Sequence, residues 1–272
     1  MTNENGLNKN PRVYSVEFWR FAFTVIVALY HLEIFFQRKL MPSGTTVVEF
    51  FFILAGFTIA MSAAGRVEKT GKRELSAKEA HAIALDYMKK KLAAIYPLMA
   101  VTLVVAIVVI PIVAPPVMPF STPVSAGLLQ QIAERVKNLF NSEWEWLIMV
   151  GTPMGFNGSS ASLAPIVPLW FLTQLLAVGY LYTFLINRKY DIIMFAAPLI
   201  AVFGLVYFVM HSENILEFYV RMGFLNAGTV RALSEMALGI AIFQLYSHMK
   251  GRKWALPGKI MLQLLELLAI YR

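Results

Sequence analysis

An all-α fold, a polytopic bundle of transmembrane helices with six spans and a partial seventh, is predicted for this chain by three observations. Of its 272 residues, 58% are hydrophobic, against about 45 to 50% in soluble domains, and the mean hydropathy is +0.62. The 24 basic and 16 acidic residues are gathered between apolar runs, as in chains that separate solvated from lipid-facing parts. Those runs recur at about the 20-residue length that crosses a bilayer. Together these argue against a soluble globular domain.

Residues 1–12 read as a polar cytoplasmic tail and 13–272 as the membrane-embedded part. The N-terminus lacks a short apolar core followed by a small-residue cleavage site, so the first run, roughly Tyr14 to Phe36, is expected to be a retained helix. A second span, roughly Thr45 to Ala64, follows a short turn at Met41, Pro42, Ser43 and Gly44, which predicts a tight hairpin. In the basic stretch 65–91, the spacing of Leu75, Ala82, Leu85 and Met88 predicts an amphipathic surface helix. A third span, about Leu92 to Val113, ends at Pro111 and the Pro115-Pro116 pair, which do not continue a helix. Residues 114–163 form the longest segment outside the spans, with an amphipathic piece near Leu128 to Phe140 and the interfacial Trp144, Glu145 and Trp146. Further spans are predicted at about Ala164 to Ile186, Ile192 to Met210 and Thr229 to Tyr246, and a last apolar run opens near Ala255 and reaches Arg272.

Charge placement sets the expected topology. Lys9, Arg12, the 65–91 stretch, Arg188, Lys189, Lys250, Arg252 and Lys253 fall on one side, and the nearly neutral 114–163 segment on the other, so the N-terminus is predicted to be cytoplasmic. Arg38 and Lys39 are the exception, in a turn too short to outvote the rest. The net charge of +8 lies beside apolar spans, which points to lipid headgroups rather than nucleic acid. With no cysteine, disulfides, thiolate metal sites and cysteine nucleophiles are excluded. No metal motif is present; His81, His211 and His248 lack partner spacing and read as solvated.

The first span carries the charged positions that matter most. From Arg20 to His31 a helix turns through three full turns plus about 20° and rises roughly 16 Å, so both side chains share a face. Glu17 and Thr24 extend that face, while Trp19, Phe23, Ile26 and Tyr30 supply apolar bulk elsewhere. Ionisable groups within a span normally face a protein interior or a watery cavity. The alternative reading has Glu17 and Arg20 snorkelling to one interface and His31 sitting at the other. Glu49 opens the second span in VEFFFILAGF, where three phenylalanines pack and Gly56 lets a helix or ligand approach the backbone; on its own this block reads first as helix packing.

Two blocks resemble the acyltransferase 3 family of bacterial membrane proteins. EFWRFAFTVIVALYH is similar to the family's first-helix signature of an arginine, ten residues and a histidine, here Arg20 and His31. VEFFFILAGF resembles its acidic, double-phenylalanine and Ser-Gly-Phe block from Val48 to Phe57, with Ala55 where the family has serine. Weaker likeness runs through KKKLAAIYP, where Ala94 replaces a basic residue, PLWFLTQLLAVGYLY and NAGTVRALSEMALGIAIFQLY, from about Val13 to Tyr246. Family members commonly have about ten spans, so the chain resembles a C-terminally truncated copy.

The resemblance implies an enzyme of the bacterial inner membrane. It implies transfer of an acyl group, with acetyl-CoA the expected co-substrate and no bound cofactor, to a hydroxyl of a carbohydrate or envelope glycan. His31 is then the expected base, since a neutral imidazole accepts a hydroxyl proton near neutral pH. Arg20 suits donor phosphates or a developing oxyanion, and Glu17 is placed to orient it. Arg231, in GTVRAL, is a second candidate for phosphate or acceptor contacts, with a snorkelling arginine as its equal alternative. Glu49 and Trp170 are expected to contact the acceptor, although a lone tryptophan on a helix also serves as packing or interface anchor. Lys89, Lys90 and Lys91 read as a topology signal rather than a coenzyme site. The competing class is a carrier or flippase whose path is lined by Arg20 and His31.

Overall fold

A computed structural model describes residues 18–19, 21–27, 29, 47–104, 133, 169–212, 221–223 and 225–249. Glu17, Arg20, His31, the turn at 41–44, all of the 114–163 segment except residue 133, and the apolar run from Ala255 lie outside the described residues. The described chain is helical apart from one small hairpin. Its main helices are α1 (Val47–Thr70), α2 (Ala77–Val104), α3 (Leu169–Arg188), α4 (Tyr190–His211) and α5 (Ala227–Met249), and residues 18, 19, 21–27 and 29 are helical as well. Between α4 and α5, β1 (Arg221–Met222) pairs antiparallel with β2 (Leu225–Asn226). Gly223 sits in this turn at φ +68°, a conformation that costs glycine no Cβ clash. The buried Met222 packs there with Phe208, Ala227 and Val230.

Direction alternates along the chain. Glu49 meets Arg231, and Phe57 meets Phe243, so α1 and α5 run parallel. On α4, Met194 lies by Gln244 and Phe208 by Arg231, which makes α4 antiparallel to α5. His81 contacts Tyr180 and Tyr87 contacts Leu175, so α2 runs against α3. Such a serpentine path is what repeated crossing of a bilayer requires. Among the described residues three helices are long and apolar enough to cross: Val47–Thr70, Trp170–Arg188 and Tyr190–His211. The expected Thr229 to Tyr246 span forms a helix too, but it falls outside this set for a structural reason. It is the central helix, with 13 residues from Ala227 to Phe243 buried, so the buried Arg231 and Glu235 dilute its hydropathy without facing lipid.

Local chemistry explains the helix ends. The Ser76 amide and hydroxyl both donate to Glu79 Oε2, at 2.9 and 2.6 Å, and Ser76 Oγ lies 3.3 Å from the Glu79 amide. This reciprocal capping box starts α2. Gly71, at φ +68°, ends α1 with its amide on the Val67 carbonyl. The surface helix expected before a separate third span is instead continuous with it, since α2 runs unbroken past Pro97 to Val104. Of the expected apolar face Leu85 and Met88 are half-buried and Ala82 is exposed, while the fully buried positions are Ala80 and Ala84, small residues beside the half-buried Tyr87 that meets α3 at Gly179.

Among the described residues, the basic segments around Arg73 and Arg188 meet at one end of the bundle. Arg73 pairs with Asp191 at 2.5 Å and Lys189 with Glu74 at 2.8 Å. Arg188 donates to the Leu75 carbonyl, and the Leu75 amide to that of Asn187. Glu49, Trp170, Phe208 and Arg231 belong to the opposite end. Between the two ends α1 and α5 pack backbone to backbone, where a methyl group on Gly56 would overlap the Met236 carbonyl and one on Gly239 the Ile53 carbonyl. The Gly56 approach expected from the sequence is thus made by a helix.

Candidate functional site

Asn226 caps α5: its Oδ1 accepts from the Thr229 amide at 2.7 Å. The Thr229 hydroxyl lies 2.7 Å from the same oxygen and 3.0 Å from Gln174 Oε1 on α3. These bonds fix the first turn of α5, and the next turn carries Arg231.

Arg231 is turned into the bundle, with its side chain 3% exposed, so it does not snorkel. Its Nη2 donates to Glu49 Oε1 at 2.8 Å, and its Nε lies 3.5 Å from Glu235 Oε1, one helical turn on. Trp170 from α3 and Phe208 from α4 flank the guanidinium, with ring centroids 5.8 and 5.7 Å from Cζ. One cation therefore holds two carboxylates in an aromatic setting built by four helices. Glu235 is 5% exposed and, among the described residues, its Oε2 has no hydrogen-bond partner, whereas Glu49 is 27% exposed and opens the cluster outward. A buried ion pair of this kind is held by geometry, since desolvation offsets most of the attraction.

Three residues singled out in the sequence as ligand contacts, Glu49, Trp170 and Arg231, are thus one cluster. Glu235 was not among them. Its signal was available: an acid four residues after an arginine in an apolar helix shares its face and is costly without a partner. Glu17, Arg20 and His31 lie outside the described residues, but neighbours of Arg20 reach the cluster by an aromatic chain. Trp19 stacks on Phe23, Phe23 meets Phe50 at 4.5 Å, and Phe51 and Phe52 pack on Phe171 beside Trp170.

Elsewhere the chemistry is ordinary. His81 bonds Tyr180, and His211 and His248 each bond a carbonyl one turn back, at exposed positions. Ala55, where the resemblance has serine, is buried in the α1 core. Lys90 pairs with Asp86, and Lys91 lies over the Tyr87 ring. Among the described residues no three His, Asp or Glu side chains form a metal-binding group. A groove of about 410 Å³ between α4 and α5, lined by Phe203, Tyr207, Met222 and Leu233, carries no charged side chain.

Fold and site together define a helical membrane protein with an ionic centre inside its bundle. Comparison with protein-family models, curated proteins and solved structures finds no match to this chain.

Proposed function

We propose that the chain is an integral membrane O-acyltransferase of a bacterial inner membrane, with six spans and a partial seventh and a cytoplasmic N-terminus. It moves an acyl group, with acetyl-CoA the expected donor, to a hydroxyl of a carbohydrate or envelope glycan. In this reading His31 removes the hydroxyl proton as the oxygen attacks the thioester carbonyl. The tetrahedral adduct then collapses, the carbon–sulfur bond breaks, and His31 returns the proton to the thiolate. Arg20, oriented by Glu17, holds donor phosphates or the oxyanion.

The observation that carries the reading is the convergence of Glu49, Trp170 and Arg231, from three helices and up to 182 residues apart, on one buried polar centre. Such a centre inside apolar helices is expensive unless it has work to do. Because two carboxylates engage its guanidinium, Arg231 serves here as the anchor of Glu49 rather than as a phosphate ligand.

The test is transfer of radiolabelled acetyl from acetyl-CoA to glycans in membranes containing the full chain or its His31→Ala variant. Labelling lost in the variant supports the assignment, and equal labelling sinks it. Flux of an unmodified solute, abolished by changes at Arg20 and His31 without any acylation, would establish the carrier reading instead.

A further inference from the structure

We infer that the Glu49, Arg231, Glu235 and Trp170 centre is a binding site for a neutral or amine-bearing polyhydroxyl ligand, that Glu235 Oε2 accepts one of its hydroxyl protons, and that acidic sugars are excluded. The inference rests on the acceptor side of the function proposed above and narrows it to a class of sugar.

Three observations support it. The first is unmet hydrogen-bonding capacity. Glu235 is 5% exposed and its Oε2 is buried without a donor among the described residues, while buried carboxylate oxygens are normally satisfied. Any ligand that settles here gains most by bringing an O–H or N–H to that atom. The second is charge. The single guanidinium is already engaged by Glu49 and Glu235, so a phosphate or uronate would find no free cation and would bring its charge beside the Glu49 carboxylate in a desolvated site, where like charges repel far more than in water. A hydroxyl or ammonium group meets no such penalty. The third is shape. Phe208 closes the far side of the guanidinium from within the core, and the half-buried Trp170 beside it is the apolar wall left for the C–H surface of a sugar ring, as aromatic linings are around a few polar groups in ligand sites. Glu49, 27% exposed, is the first group an entering hydroxyl meets, with Arg231 and Glu235 behind it.

The experiment is equilibrium dialysis of the purified full-length protein in nanodiscs against maltotriose, a neutral probe, and trigalacturonate, an acidic one. Maltotriose is expected to bind at least tenfold more tightly than trigalacturonate. Glu235→Leu should weaken maltotriose binding at least tenfold, and Glu235→Gln, which keeps an acceptor but removes the charge, should narrow the gap between probes. Equal or tighter binding of trigalacturonate, no binding of either probe, or unchanged maltotriose binding in Glu235→Leu would overturn the inference. If Glu235→Leu does not fold, Glu235→Gln decides, and an unchanged gap overturns it. Acetyl label passing equally to neutral and acidic glycans would sink this inference and leave the acyltransferase reading intact. Selective sugar binding without any acyl transfer would do the reverse.

Discussion

Arg231 holds two carboxylates, and the asymmetry of removing one partner or all of them gives the sharpest test at the scale of single residues. Arg231→Met leaves Glu235 buried with no cation and should lower stability by about 3 to 5 kcal/mol, whereas Arg231→Met with Glu235→Leu should recover most of the loss; thermal unfolding in detergent measures both. Ser76 and Glu79 give a second prediction. The Ser76 amide and hydroxyl hold the Glu79 carboxyl below its ordinary range. Its contribution is therefore present above about pH 4.3, the unfolded value, and is lost as pH falls through the depressed folded value. Hydrogen exchange in the first turn of α2 should quicken across that acid range, while Ser76→Ala should flatten the pH response and lower helix stability by about 1 kcal/mol. At this scale the site was partly legible. Glu49, Trp170 and Arg231 could be chosen because charge or bulk inside apolar runs needs a reason, but their meeting could not, because helix adjacency is a tertiary fact. Glu235 was legible only through its spacing from Arg231.

Between elements, the backbone contact of α1 with α5 governs stability. Gly56→Ala or Gly239→Ala should cost about 1 to 3 kcal/mol, the range for overpacking, because each methyl meets a carbonyl of the facing helix. Gly65→Ala, on the same helix with open space around it, should instead stabilise by roughly 0.5 to 1 kcal/mol through helix propensity. Unfolding temperatures of the three variants should therefore split in opposite directions. The helices themselves were well marked in the sequence: the starts of α1, α4 and α5 lie within a few residues of the expected spans, because apolar runs and their charged flanks are local. What escaped was the character of α2 and α5. Tyr87 of α2 packs on Gly179 of α3, a surface that periodicity within α2 does not encode. Helix α5 carries charge in its first half because there its partners, not lipid, surround it.

For the whole molecule, the absence of cysteine makes topology directly measurable. A single cysteine replacing Lys72 or Lys189 at the basic end should resist an impermeant maleimide in intact cells, and one replacing Gly223 in the hairpin should react. The reverse pattern would invert the orientation expected from the charge bias. The pairing of Glu49 with Arg231 across 182 residues also bears on how the protein is made. At synthesis rates of about 5 to 20 residues per second, α1 precedes Arg231 by roughly 10 to 35 s. Throughout that interval Glu49 has no native cation, so the newborn α1 must wait at the insertion machinery or near the interface, or carry a proton. Final seating of the first helices is thus timed by the last one described, and a chain halted before Arg231 should leave α1 poorly inserted.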